Sequence, residues 1–148
     1  MARMLRRTLP DGYFHVMARA GYGRELFVDG ADRRHFVGML RACEERHAWV
    51  CHAYCLMTTH YHLVLEAKRA ALSNGMRRLN SGYAATFNRR HRRFGHVFAE
   101  RFTARSIGDE AYLFEACAYV VLNPVRAGAC REASQWRWSY SRYGLAAA

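Results

Sequence analysis

The sequence is short of acid, of proline and of long apolar runs. No stretch reaches the roughly 20 apolar residues of a membrane-spanning helix, and Met1-Ala2-Arg3-Met4-Leu5-Arg6-Arg7 lacks the apolar core of a signal peptide. The expectation is a cytoplasmic protein with no membrane partner. Two prolines in 148 residues leave no proline-rich linker, and there is no internal repeat. A single domain over residues 1–148 follows, long enough to bury a core, with a tail from about residue 129. No C-x-x-C pair occurs among the five cysteines, Cys43, Cys51, Cys55, Cys117 and Cys130. An odd set of this kind reads as small buried apolar residues in a reducing compartment. A zinc set can be written from Cys51, Cys55, His60 and His62, but the C-x3-C and H-x-H spacings fit the finger pattern poorly.

The deficit of acid is the counterpart of an excess of base. Twelve acidic residues face 23 basic ones, so the formal net charge is +11 and the pI is near 10. Such a charge calls for a polyanionic partner. Nucleic acid fits better than a membrane surface, because no basic helix has a clean apolar face and no lipidation signal is present. Association with the nucleoid is the corresponding location. With 51% hydrophobic and 14% aromatic residues the chain is not a disordered polyelectrolyte.

Periodicity divides the chain. Pro10-Asp11-Gly12 is a turn signal, followed by a strand over Tyr13–Met17 and a glycine-bearing loop from Arg19 to Gly23. Asp29 and Asp32 start a helix whose apolar face is Phe36, Met39, Leu40 and Cys43, ending near His47. Trp49–Met57 is an apolar strand, joined through Thr58-Thr59 to a second over Thr59–Glu66; Thr-Thr is not the Asn-Gly type of turn such a hairpin prefers. Leu72, Met76, Leu79, Tyr83 and Phe87 define an amphipathic helix over about 71–88, followed by Arg89-Arg90-His91-Arg92-Arg93. Val97–Ile107 reads as a strand or extended segment, and a last helix runs over about 109–122 until Asn123-Pro124 stops it. The order β-α-β-β-α-β with a further helix is an α+β class, a ferredoxin-like split β-α-β with an antiparallel sheet plus a C-terminal helix.

The chemistry gathers on the strand His60-Tyr61-His62-Leu63-Val64-Leu65-Glu66. Alternation puts Tyr61, Leu63 and Leu65 on one face and His60, His62, Val64 and Glu66 on the other. Two histidines two residues apart sit roughly 6–7 Å apart and can lean toward one ion; Glu66, about 13 Å along from His62, is a poor co-ligand. His15 and His52 are further candidates to lie near this pair, with a satisfied structural histidine the simpler reading of each. On the last helix Tyr112, Glu115, Tyr119 and Asn123 share a stripe, with Tyr119 and Asn123 one turn apart. A phenol beside a metal-binding His pair suggests nucleophilic attack on a phosphodiester.

These residues carry a resemblance. Met57-Thr58-Thr59-His60-Tyr61-His62-Leu63-Val64-Leu65 resembles the "HUH" motif (His, bulky hydrophobic, His) of single-tyrosine transposases. Tyr119-Val120-Val121-Leu122-Asn123-Pro124-Val125-Arg126-Ala127-Gly128 resembles the tyrosine segment of REP-associated tyrosine transposases. Ala53 to Met57, Leu79 to Tyr83, Phe87 to His91, Gly95 to Phe98, Arg101-Phe102 and Trp136 to Tyr143 are similar to other parts of that family. Thr58-Thr59, where the family usually has Pro-Asn, and the loop Arg19 to Gly23 depart from it. The resemblance implies a metal-dependent endonuclease and strand transferase on single-stranded DNA beside a hairpin of the REP type. Tyr119 is then the catalytic nucleophile forming a 5′-phosphotyrosine, and the last helix is catalytic. His60, His62 and Asn123 hold Mg²⁺ or Mn²⁺, and the protein works as a monomer or homodimer. The alternative is a domesticated, non-catalytic nucleic-acid-binding regulator of the same fold. Candidate DNA contacts are Arg6, Arg7, Arg89, Arg90, Arg92, Arg93 and Arg126 on phosphates, and Trp136 and Trp138 as stacking surfaces.

Overall fold

In the computed structural model, which describes residues 11–145, the chain runs β1 (Gly12–Arg19), α1 (Gly30–His47), β2 (Val50–Leu56), β3 (His60–Ala67), α2 (Arg69–His91), β4 (Thr103–Ile107), α3 (Glu110–Val121), α4 (Asn123–Arg126), a 3-10 turn (Ala133–Gln135) and β5 (Ser139–Ser141). The strands form one sheet in the order β4-β1-β3-β2-β5, and every neighbouring pair is antiparallel. The first six elements are the expected split β-α-β arrangement.

The period-two pattern of β3 sorts the two cores. Tyr61, Leu63 and Leu65 join Phe14 and Val16 of β1, Phe36 and Leu40 of α1, and Met76, Leu79 and Tyr83 of α2 on one face. Val64 joins Ala53 and Cys55 of β2 and Leu113, Cys117 and Val120 of α3 on the other. The sheet is thus covered on both sides, by α1 and α2 on one and by α3 on the other.

Several boundaries differ from the sequence pattern, for physical reasons. α2 continues to His91 because Arg90 and His91 reach the carboxylates of Asp29 and Asp32 at the start of α1; Arg92 then closes it in the left-handed region with its N–H on the Asn88 carbonyl. The strand or extended segment expected over Val97–Ile107 is a regular strand only in its second half. Phe98 makes only an isolated bridge to Ala20, and regular pairing starts at Thr103. Pro124 stops α3 as expected but opens the short helix α4. The expected tail includes the edge strand β5, paired to β2 through Ala53↔Ser141, Tyr54↔Tyr140 and Cys55↔Ser139. The Thr58-Thr59 turn has no positive φ. Its carbonyls are instead taken by distant amides, Leu26 N–H on Thr58 O at 2.8 Å and Ala20 N–H on Thr59 O at 2.8 Å, so long-range bonds hold a turn that local propensity does not favour.

Candidate active site

His60 and His62 lie on the central strand β3, and their rings stand 5.1 Å apart at nearly a right angle. α3 lies across this face because Leu113, Cys117 and Val120 are drawn onto the sheet. The flank of α3 beside that apolar stripe then carries Tyr119 to the histidines, and Asn123 follows at the start of α4. The Asn123 amide is 3.0 Å from His62 Nε2. The Tyr119 ring centre is 6.3 Å from that of His62, edge to face. Tyr119 is 49% exposed while His62 is 5% exposed, so the phenol is open to solvent beside a buried imidazole.

Two neighbours complete the cluster. His15, expected as a structural histidine, is satisfied, but its partner is His62: its Nε2 lies 2.9 Å from His62 Nδ1, and its ring meets that of Tyr119 edge-on at 5.9 Å. Nothing in the sequence near His15 signals this, since the register of β1 on β3 sets it. Arg126 folds back so that its guanidinium sits 3.8 Å above the Tyr119 ring centre and donates to the Tyr119 carbonyl. His52 and Glu66 belong elsewhere, as expected: His52 is held between Tyr143 Oη at 2.7 Å and Glu66 Oε1 at 3.1 Å.

The imidazoles are held neutral. Burial, followed by the neighbouring His15, His60 and Arg126, pushes His62 down to about 3. Burial and then Arg105 lower His15. His60 is lowered by burial and by Arg19 and pulled the other way by the Asn123 side chain. Neutral imidazoles offer free lone pairs, which is the state a metal requires. His62 Nε2 faces Asn123 while its Nδ1 is occupied by His15, the outer-sphere hydrogen bond that orients a ligating histidine. Among the described residues no group of three or more His, Cys, Asp or Glu is arranged to hold a metal ion, so a donor set here consists of two imidazoles and an amide. The chemistry of that set fits a divalent ion that accepts N and O ligands. The zinc set with Cys51 and Cys55 does not form. A bulge between Cys51 and Ala53 shifts the register, which places Cys51 in the core under α1 and α2 and Cys55 in the core under α3. Burial pushes both thiols up to about 12.

The expected DNA contacts divide. Arg6 and Arg7 lie outside the described residues. Arg89, Arg92 and Arg93 are exposed. Arg90 is exposed too, but has both terminal nitrogens on Asp29 and Asp32 at 2.7–2.8 Å, so its guanidinium already has carboxylate partners within the fold. Arg126 lies against Tyr119 in the candidate site. The two tryptophans anchor the chain end rather than standing free to stack: Trp136 Nε1 donates to Leu56 O at 3.1 Å, and Trp138 packs on the main core with its carbonyl accepting from Leu56 N–H at 2.8 Å.

A five-stranded antiparallel sheet with helices on both faces is a fold this chain shares with a solved transposase. The chain superposes with a TM-score of 0.77 on a solved structure of a REP-associated tyrosine transposase bound to a REP hairpin, at 14% identity over 94% of this chain and 82% of the other. At that identity the likeness establishes the fold. The sequence profile of the family described as "Transposase IS200 like" matches residues 8–123, and the chain belongs to that family. No curated protein matches it. Among the described residues no helix is long and apolar enough to cross a membrane.

Proposed function

We propose that the protein cleaves and joins single-stranded DNA beside a REP-like hairpin, with Tyr119 as nucleophile. The observation that carries this reading is the convergence of His60, His62, Asn123 and the exposed Tyr119 on one flank of the sheet. The hairpin substrate follows from the ligand of the structural neighbour and suits a chain of net charge +11.

His60, His62 and Asn123 would hold a divalent ion, Mg²⁺ or Mn²⁺, with the N and O mixture favouring Mn²⁺. Asn123 can serve because half a turn of its amide exchanges the nitrogen for the oxygen. When bound, such an ion neutralises charge on the phosphate and on the departing oxygen. The Tyr119 phenolic oxygen attacks phosphorus, the bond from phosphorus to the 3′ oxygen breaks, and a 5′-phosphotyrosine and a free 3′-OH result. The phenol proton leaves to solvent and the departing oxygen takes one up. Joining is the reverse, a 3′-OH attacking the phosphotyrosine. Arg126, stacked on the ring, brings a permanent positive charge to the place the phosphate must occupy.

The test is a denaturing gel after incubation with a tailed hairpin oligonucleotide and Mn²⁺. Wild type forms a covalent protein–DNA species, and Tyr119→Phe and chelated protein form none. An adduct in Tyr119→Phe rejects the nucleophile assignment. Hairpin binding without any adduct supports the non-catalytic regulator instead.

A further inference from the structure

Two large aromatic side chains are presented to solvent at the end of the sheet where His60 lies, and nothing in the site uses them. Tyr22 is fully exposed and Phe94 is 91% exposed. Neither sits in a slack loop. Tyr22 occupies a turn closed by Arg24 N–H on Gly21 O at 3.0 Å, with Gly23 at φ +71°, a corner that favours glycine. Phe94 follows the left-handed cap of α2, where the Asn88 carbonyl takes the N–H groups of Arg92 and Arg93 and the Asn88 side chain donates to Gly95 O at 2.9 Å. The two turns are tied to each other by Gly21 N–H on Val97 O and by Ala99 N–H on Arg19 O.

Their surroundings are cationic. Within residues 19–25 and 89–96, Arg19, Arg24, Arg89, Arg92 and Arg93 are exposed, and Glu25 is the one acidic residue. Arg19 pairs with His60 across β1 and β3, and Ala20 N–H bonds Thr59 O, so the patch continues directly into the histidine end of the active site. Rigid exposed aromatics among arginines are the means by which proteins hold unpaired bases, each ring offering a face for stacking and each guanidinium a phosphate contact.

We infer that Tyr22 and Phe94 form a platform that stacks the unpaired nucleotides flanking the hairpin and leads that strand to His60 and Tyr119. This rests on DNA as the substrate and adds the surface that distinguishes a tailed hairpin from a blunt one. The test is fluorescence anisotropy with one stem-loop in two forms, blunt and with a short 5′ single-stranded tail. In wild type the tail tightens binding. Tyr22→Ala and Phe94→Ala each remove roughly 5- to 100-fold of that tightening, with the blunt form unaffected; Tyr22→Phe and Phe94→Tyr keep it. The inference is overturned if the alanine variants bind the tailed form like wild type, if they lose both forms equally, or if the aromatic replacements behave like alanine. A protein that forms the Tyr119 adduct yet shows no tail-dependent change in these variants removes the platform and leaves the chemistry standing. Tail-dependent loss without any adduct does the opposite.

Discussion

His15 is the residue whose replacement separates a structural account of the site from a functional one. Its Nε2 holds His62 Nδ1 at 2.9 Å, and His62 is 5% exposed, so in His15→Ala a ring nitrogen is left without a partner away from water. An orphaned buried polar group costs about 1–3 kcal/mol, which urea unfolding reads directly. The second effect is on the proposed metal site. Without its outer partner the His62 ring loses both its fixed orientation and its fixed tautomer. Removing such partners elsewhere weakens metal binding about 10- to 100-fold, or about 1.4–2.7 kcal/mol. Calorimetric titration of metal-free protein with Mn²⁺ at neutral pH measures this. His15→Gln, whose amide can still reach His62, should recover part of both losses. If His15→Ala binds Mn²⁺ as tightly as wild type, the argument that His15 orients a metal ligand is refuted. If wild type itself binds no Mn²⁺ the donor set is misread, although the stability loss would remain.

Two further outcomes concern the scaffold. A Cβ on Gly75 would lie 2.1 Å from Trp49 Cζ2 and 2.8 Å from two other ring atoms, and the buried indole is pinned through its Nε1 to Ala71 O at 3.2 Å; Gly75→Ala should lower stability in urea by about 1–3 kcal/mol despite the better helix former. Gly82→Ala meets only the flexible methyl of Met39 and should stay within about 1 kcal/mol of wild type, so equal midpoints for the two variants would contradict the packing argument. The Arg90 hydrogen bonds, and then the Asp32 amide, hold the Asp29 carboxyl far below its ordinary value of 3.8. A depressed carboxylate stabilises the fold above its unfolded pKa and loses that contribution as the pH falls through the folded one. Asp29→Asn should therefore melt below wild type at pH 7, with the gap closing as the pH drops under 3.8; a gap constant with pH would exclude this linkage.

What was legible in the sequence was whatever local spacing determines. The alternation of β3 set the faces of His60 and His62 because a strand has no other way to orient them. The i, i+4 spacing of Tyr119 and Asn123 set their common direction in the same way. The remainder depended on contacts between residues distant in the chain. His15 reaches the site only through the pairing of β1 on β3. Cys51 and Cys55, four apart, would share a face in a regular strand; the extra residue His52 divides them, and no rule of spacing announces a bulge. The end of α2 looked like a free arginine run, but Arg90 has carboxylate partners some 60 positions earlier. Trp136 and Trp138 suggested stacking by composition, and only the pairing of β5 shows why they face inward.

Asn123-Pro124 shows that a helix stop and a functional position need not be rival readings. Proline has no N–H to extend the ladder of α3, so α3 must end before it. Leu122 still donates back to Ala118 O at 3.0 Å, which leaves Asn123 as the first residue past the helix, with its amide turned to His62. Proline near the first position of a helix is well tolerated, so the chain at once begins α4, with Arg126 N–H on Leu122 O and Ala127 N–H on Asn123 O. From that single turn the Arg126 side chain reaches the Tyr119 carbonyl and covers its ring. One imino acid thereby sets three things: where α3 stops, where the amide faces, and how the guanidinium comes to lie on the tyrosine. The stop and the site follow from the same backbone constraint.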